Sequence, residues 1–242
     1  MEAKCFGEFM GTMVLILLGD GVVANVLLKR SKAEGAGWLA IAAGWAFAVM
    51  VGVFTAIACG SPDAHLNPAV TLGLSFTTGD FTKFWPYALA QMLGAIAGAI
   101  LVWIHFFPHW KVTEDPLTKR NCFCTTPAIR NLATNLISEI IGTFVLVLVI
   151  CAIFSKKVAL TGLAGGLGPY LVAVLIWSIG LSLGGTTGYA INPARDLGPR
   201  IVYSILPIGT KIDSDWGYAS IPVIGPLIGG TVAGLIAHAV HF

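Results

Sequence analysis

The tripeptide Asn-Pro-Ala occurs twice, as Asn67-Pro68-Ala69 and Asn192-Pro193-Ala194, each time at the head of an apolar stretch too short to cross a bilayer. The stretches run roughly over 68–76 and 193–204, and about ten helical residues reach only ~15 Å, half the hydrocarbon thickness. Asn caps the free N–H groups of a helix start, and Pro suits the first turn. A helix broken at membrane depth must line water or be buried in protein. The pattern predicts two half-helices starting near the membrane midplane, and paired interrupted segments of this kind point to a binding or conduction site.

The rest of the chain supplies the membrane. Six full-length apolar runs lie roughly at 6–28, 38–60, 84–106, 134–154, 165–184 and 219–240. Charged residues are 11% of the chain and hydrophobic ones 56%, whereas a soluble domain is about a quarter charged. The expected fold is an all-α membrane protein with six transmembrane helices and two re-entrant half-helices. The first run lacks a small-residue cleavage pattern and reads as a span, not a cleavable signal. A net charge of +2 gives no argument for nucleic acid. The cysteines (Cys5, Cys59, Cys122, Cys124, Cys151) are scattered, and Cys122-Phe123-Cys124 lacks zinc-ligand spacing. No metal or cofactor site is read from them; a disulfide within that loop is left open.

The two halves repeat. Glu8-Phe9-Met10-Gly11-Thr12 returns as Glu139-Ile140-Ile141-Gly142-Thr143, and Gln91-x-x-Gly94-x-x-x-Gly98 is echoed by Pro222-x-x-Gly225-x-x-x-Gly229. A unit with three full spans inserts its second copy in the opposite sense, so the repeat is inverted. Residues 1–242 read as one channel domain, with repeats of about 1–110 and 130–242 joined by an extracellular loop at 107–133. Small-xxx-small spacing accounts for most of the 29 glycines as packing residues. An even number of spans puts both termini on one side. If that side is cytoplasmic, only Lys4, Lys83, Lys156 and Lys157 lie inside, against the positive-inside rule.

These residues resemble the major intrinsic protein family, the aquaporins and glycerol facilitators. The resemblance is carried by Ala64-His65-Leu66-Asn67-Pro68-Ala69-Val70-Thr71, by Gly188-Tyr189-Ala190-Ile191-Asn192-Pro193-Ala194-Arg195-Asp196, by the two Glu-x-x-Gly-Thr copies and by the Gln91 segment. It implies a right-handed bundle, cytoplasmic termini at the plasma membrane, and a homotetramer with one pore per subunit. It also implies backbone carbonyls facing the pore from Asp63, Ala64, His65 and Leu66 on one side and Gly188, Tyr189 and Ala190 on the other. Glu8 and Glu139 would hold those loops, and Asp196 would tie down the second half-helix. Beside the resemblance, the chemistry is direct. Two half-helix N-termini and the Asn67 and Asn192 amides place positive potential and donors at one point, which repels cations and breaks a proton wire.

The resemblance places the selectivity filter at four positions. Arg195 matches the filter arginine, a fixed donor and positive charge. Tyr189 falls where glycerol facilitators carry an aromatic, and Gly180 falls where water-selective members carry a histidine, so the pore is expected to be widened there. The fourth position is Trp45 or Phe47. Ungapped counting selects Phe47, while a surplus in Gly60-Ser61-Pro62-Asp63 selects Trp45, and two residues are about 200° on a helix. Trp45 is preferred, because a Trp wall suits a carbon backbone.

The implied function is a passive channel for glycerol and other small uncharged solutes, with water permeating and protons and ions excluded. Dihydroxyacetone, urea, hydrogen peroxide and protonated lactic acid fit the same description. The alternatives are a mainly water-selective aquaporin and a proton-coupled transporter. The second needs an acid at the midplane, where neutral asparagines stand. Asp20 is an intramembrane acid with its role open between pore lining, the outer vestibule and a bond to a neighbouring span. No nucleophile–base pair sits at one depth, which argues against an enzyme.

Overall fold

The computed structural model describes residues 1–242. Ten helices follow in order: α1 (Glu2–Leu27), α2 (Gly37–Ala58), α3 (Pro68–Thr78), α4 (Phe84–His105), α5 (Phe107–Val112), α6 (Pro116–Asn121), α7 (Leu132–Phe154), α8 (Leu167–Ser182), α9 (Pro193–Ile205) and α10 (Ile221–Ala239). Five of them, α1, α2, α4, α7 and α10, are long and apolar enough to cross a membrane. The fifth apolar run is shorter than its hydropathy suggests. Gly166, at φ 81°, starts α8, and the helix ends before Gly184-Gly185, leaving 16 residues, or ~24 Å.

The long helices pack as two similar units. α1 lies against α2 and α4, while α7 lies against α8 and α10; α2 meets α8 across the middle. The half-helices cross over: α3 packs on α10 and α9 on α4. Each half therefore supports the other's broken segment, which fixes where the two Asn-Pro-Ala words meet.

The repeated glycines lie on these seams. A Cβ on Gly98 of α4 would stand 2.5 Å from the Met13 carbonyl oxygen of α1, and one on Gly229 of α10 would overlap the Ile140 carbonyl of α7. In lipid, close helix approach replaces the hydrophobic drive. Gly229→Ala is therefore expected to cost about 1–3 kcal/mol by overpacking. Thermal unfolding in detergent checks this, and an unchanged midpoint would show that the seam can relax.

Both termini reach one end of the bundle. Lys4, near the start of α1, and Lys83, just before α4, flank Asp63 at 3.6 and 3.0 Å. Trp38, at the start of α2, bonds the Gly180 carbonyl near the end of α8, so those helices run antiparallel. The loop leading into α8 thus returns to the α1 start, and its Lys157 bonds the Val240 carbonyl beside the C-terminus.

The long connection at 107–133 is not an open loop. It folds into α5 and α6, with Asp115 capping α6. Trp110 and Phe123 stack at 5.5 Å, and Phe123 reaches Tyr203 of α9 at 5.8 Å. Cys122 and Cys124 are buried free thiols within it. Further on, Arg130 clasps Asp215 through both of its terminal nitrogens, at 2.6 and 2.9 Å. That hydrogen bond holds the Asp215 carboxyl below its ordinary range, so the clasp stays charged at neutral pH and loosens only on acidification through the lowered value.

Candidate functional site

The half-helices begin as their sequence dictates. Asn67 accepts the Ala69 N–H at 2.8 Å with Pro68 in the first turn. Asn192 accepts the N–H groups of Ala194 and Arg195 at 3.0 and 3.3 Å behind Pro193. Their amide nitrogens then tie the two loops together. Asn67 Nδ2 donates to the Ile191 carbonyl at 2.7 Å, and Asn192 Nδ2 donates to the Leu66 carbonyl at 2.9 Å. An amide has two hydrogens. The second remains on each Asn, and both residues line the same cavity.

The approach to each Asn is a strained mirror image. Ala64 and Leu66 have φ of 44° and 53°, and Tyr189 and Ile191 have 38° and 41°; none is glycine. Such conformations cost on the order of 1–3 kcal/mol each and persist only where the surroundings hold them. The holders are two buried acids. Glu8 accepts from the N–H groups of His65 and Leu66 at 2.9 and 2.8 Å. Glu139 accepts from those of Ala190 and Ile191 at 3.0 and 2.8 Å. Ser61 and Gln91 add bonds to Glu8 at 2.7 and 2.8 Å. Gln91 appears in the sequence only as a marker of the repeat; here it is the fourth donor that orients Glu8.

These loops border a cavity of about 370 Å³ running between α2, α3, α7, α8 and the two loops, with 18 of its 25 lining residues hydrophobic. Its apolar wall includes Val49, Val53, Leu146, Ile150 and Ile176, and its polar edge includes Asp63, Ala64, His65, Asn67, Ala190, Asn192 and Arg195. The carbonyls of Ala64, His65, Tyr189 and Ala190 accept no hydrogen bond from the protein. A buried carbonyl must be satisfied by something, and these four belong to residues that line the cavity. The Leu66 carbonyl, expected on this edge, is instead committed to Asn192. Gly188 does not reach the cavity wall; it lies at φ 80° beside Thr125.

Asp63 also lines the cavity, but its carboxylate works at the mouth. It accepts from Tyr87 Oη at 2.5 Å and faces Lys83. His65 bonds Thr71 at 3.1 Å and packs edge-on against Tyr87.

Trp45 and Phe47 face opposite ways. Trp45 is 3% exposed and lines the cavity, with the Arg195 guanidinium 3.9 Å from its ring centroid. Phe47 is 49% exposed on the outer surface beside Trp177. A turn at Gly60, φ 105°, precedes the first half-helix. Trp45 and Arg195 therefore share one wall of the cavity.

Gly180 stands against the Tyr189 ring. It does not line the cavity; a Cβ there would stand 2.9 Å from Tyr189 Cζ and 3.0 Å from its hydroxyl. The room left by the missing side chain is occupied by the Tyr189 ring. Trp38 packs edge-on against that ring at 5.7 Å and donates to the Gly180 carbonyl.

Asp196 anchors α9 rather than the cavity. Its carboxylate accepts from Arg200 Nε and Nη2 at 2.7 and 2.8 Å and from the Thr125 N–H at 2.8 Å. The long connection is thereby pinned to the second half-helix. Arg200 escaped sequence reasoning, although the i, i+4 spacing from Asp196 was the available signal.

A membrane bundle with two capped half-helices meeting at an amphipathic cavity defines a channel of inverted repeats. The model of the major intrinsic protein family matches residues 1–237, and the chain belongs to that family. A probable glycerol uptake facilitator of Thermotoga maritima is 55% identical, with 92% of this chain and 93% of that protein covered. A D/L-lactic acid transporter of Lactiplantibacillus plantarum is 39% identical over 98% of each. Among solved structures, the aquaglyceroporin from Plasmodium falciparum matches with a TM-score of 0.86 at 30% identity, covering 99% of this chain and 96% of that one. The protein is an integral membrane channel and not an enzyme.

Proposed function

We propose that this chain is a passive facilitator for glycerol and similar small uncharged solutes, with water also passing and with protons and ions refused. The observation that carries the reading is the set of carbonyls without a protein partner at Ala64, His65, Tyr189 and Ala190, in residues that line a largely apolar cavity. A polyol has hydroxyls along one edge and C–H groups along the other, so it satisfies both sides. The Asn67 and Asn192 amides each offer one hydrogen at the centre, and a hydroxyl oxygen accepting from both must turn its own hydrogens away. Trp45, Tyr189 and Arg195 form the constriction, with Gly180 making room for the tyrosine. Relatives named glycerol uptake facilitators at 53–55% identity support the substrate class. A relative named D/L-lactic acid transporter supports including lactic acid in the proposed range, in its neutral protonated form; dihydroxyacetone, urea and hydrogen peroxide have the same small neutral character.

The assembly we infer is a homotetramer in the plasma membrane with cytoplasmic termini. Many basic residues at the opposite end serve the fold. Lys119 bonds the Ile208 and Thr210 carbonyls, Lys211 bonds those of Tyr203, Ser204 and Leu206, and Arg130 and Arg200 pair with Asp215 and Asp196. Their number reflects how those loops are fastened.

Stopped-flow light scattering on proteoliposomes, comparing water, glycerol and lactic acid, tests the function. Glycerol is expected to cross far faster than in protein-free vesicles. Water flux without glycerol flux would overturn the constriction assigned above. The Tyr189 hydroxyl is buried against Gly180 without a protein partner; we propose that a passing solute supplies one. Tyr189→Phe is therefore expected to shift the glycerol-to-water ratio by about two- to tenfold, the weight of one hydrogen bond. An unchanged ratio would remove the hydroxyl from selectivity.

A further inference from the structure

Asp20 lies directly behind the proposed constriction. Its neighbour Gly19 leaves the space in which the Trp45 indole rests, and a Cβ there would overlap the ring. The Arg195 guanidinium lies over that indole, 3.9 Å from its centroid, and its Nη1 stands 3.5 Å from Asp20 Oδ1. The Gly19-Asp20 pair of α1 thus forms a layer supporting both Trp45 and Arg195.

The partners of Asp20 set it apart from the other buried acids. Glu8 and Glu139 each hold backbone N–H groups of a loop. Asp196 is committed to Arg200 and Thr125. Asp20 holds no backbone and no loop. It is 1% exposed, its single polar contact is Arg195, and its Oδ2 has no partner. A buried carboxylate without donors is costly unless a positive charge offsets it. The charge in reach is the one at the constriction.

We propose that Asp20 is a specificity-determining residue whose carboxylate balances the Arg195 guanidinium, so that the constriction refuses small anions as well as cations. An uncountered guanidinium in a narrow, poorly solvated passage attracts anions as strongly as it repels cations. With Asp20 beside it, Arg195 keeps its donors for hydroxyl oxygens while the pair carries no net charge. The class excluded is the small monovalent carboxylate, such as formate or ionised lactate; the class admitted is neutral. The inference rests on the reading of Arg195 as the cation of the constriction.

The test is glycerol flux into proteoliposomes at neutral pH, with sodium formate on both sides, relative to flux in an equal concentration of sodium gluconate. For the unaltered channel this ratio is expected to be near one. In Asp20→Asn, formate is expected to occupy the constriction about tenfold more tightly, and the ratio should fall. In Asp20→Asn/Arg195→Gln, where both charges are gone, the ratio should return toward one, a recovery that a purely structural role would not produce. An Asp20→Asn ratio equal to that of the unaltered channel would overturn the proposal. So would strong formate inhibition of the unaltered channel, a result that needs no variant to fold. Arg195→Gln alone separates the two readings: if it leaves the glycerol-to-water ratio unchanged, the constriction itself is misplaced. If it changes that ratio while Asp20→Asn stays insensitive to formate, only the role of Asp20 fails.

Discussion

Asp196→Ala is expected to leave little stably folded channel. The substitution strands Arg200, a fully buried cation, without its carboxylate. Breaking a buried pair by removing one partner costs roughly 3–5 kcal/mol, because the remaining charge stays unpaired. The Thr125 N–H loses its acceptor at the same time, adding about 1–3 kcal/mol if it stays buried. Together these approach the whole stability of an ordinary domain. The damage should spread along a defined path, from α9 to the 107–133 connection and then to Gly188, which lies beside Thr125. Size-exclusion profiles and thermal midpoints in detergent read the loss. Asp196→Ala/Arg200→Met should recover part of it, since the stranded charge is gone. A single variant as stable as the unaltered protein would show that the pair is not the fastening of the second half-helix.

Gly180→Val is expected to have the largest effect on selectivity with the fold intact. A Cβ at this position already meets the Tyr189 ring at 2.9 Å, and the ring is braced on another side by Trp38. A branched side chain must therefore drive Tyr189 toward the cavity it lines. Forcing such a shift costs on the order of 1–3 kcal/mol, and 1.4 kcal/mol on a permeation barrier is about tenfold in rate. Glycerol, the wider solute, should lose about tenfold or more, while water should lose less. Parallel stopped-flow measurements of both solutes check this. Equal losses would mean that the ring swings elsewhere and that Gly180 does not set the width.

The half-helices were legible because capping is local. Asn67-Pro68 and Asn192-Pro193 carry their own start signal, whatever surrounds them. Glu8 and Glu139 were legible as a symmetric pair of acids in apolar runs, which is too costly to be incidental. The strained backbone they hold was not legible. Positive φ is usually announced by glycine, and Ala64, Leu66, Tyr189 and Ile191 give no such notice. Their conformation comes from a carboxylate more than fifty positions away, and no local rule reports it.

Trp45 and Phe47 could not be separated by counting alone, because the count runs through the turn residues Gly60-Ser61-Pro62-Asp63, where an insertion would change the register. The packing at Gly180 was not legible for a related reason. The absence of a side chain suggests a void, but in a packed interior a neighbour fills it, and here the neighbour is Tyr189. Asp20 stayed unexplained until its partner was known, since Arg195 lies 175 positions along the chain. Charge pairing between distant segments leaves no pattern in either one.

The most direct measurement is glycerol influx into proteoliposomes over a range of glycerol concentrations, with and without an imposed proton gradient. A passive channel should raise influx far above that of protein-free vesicles, in proportion to concentration, and identically in both gradient conditions. Influx that saturates at low glycerol and follows the proton gradient would contradict it, as would vesicles that swell with water while remaining closed to glycerol.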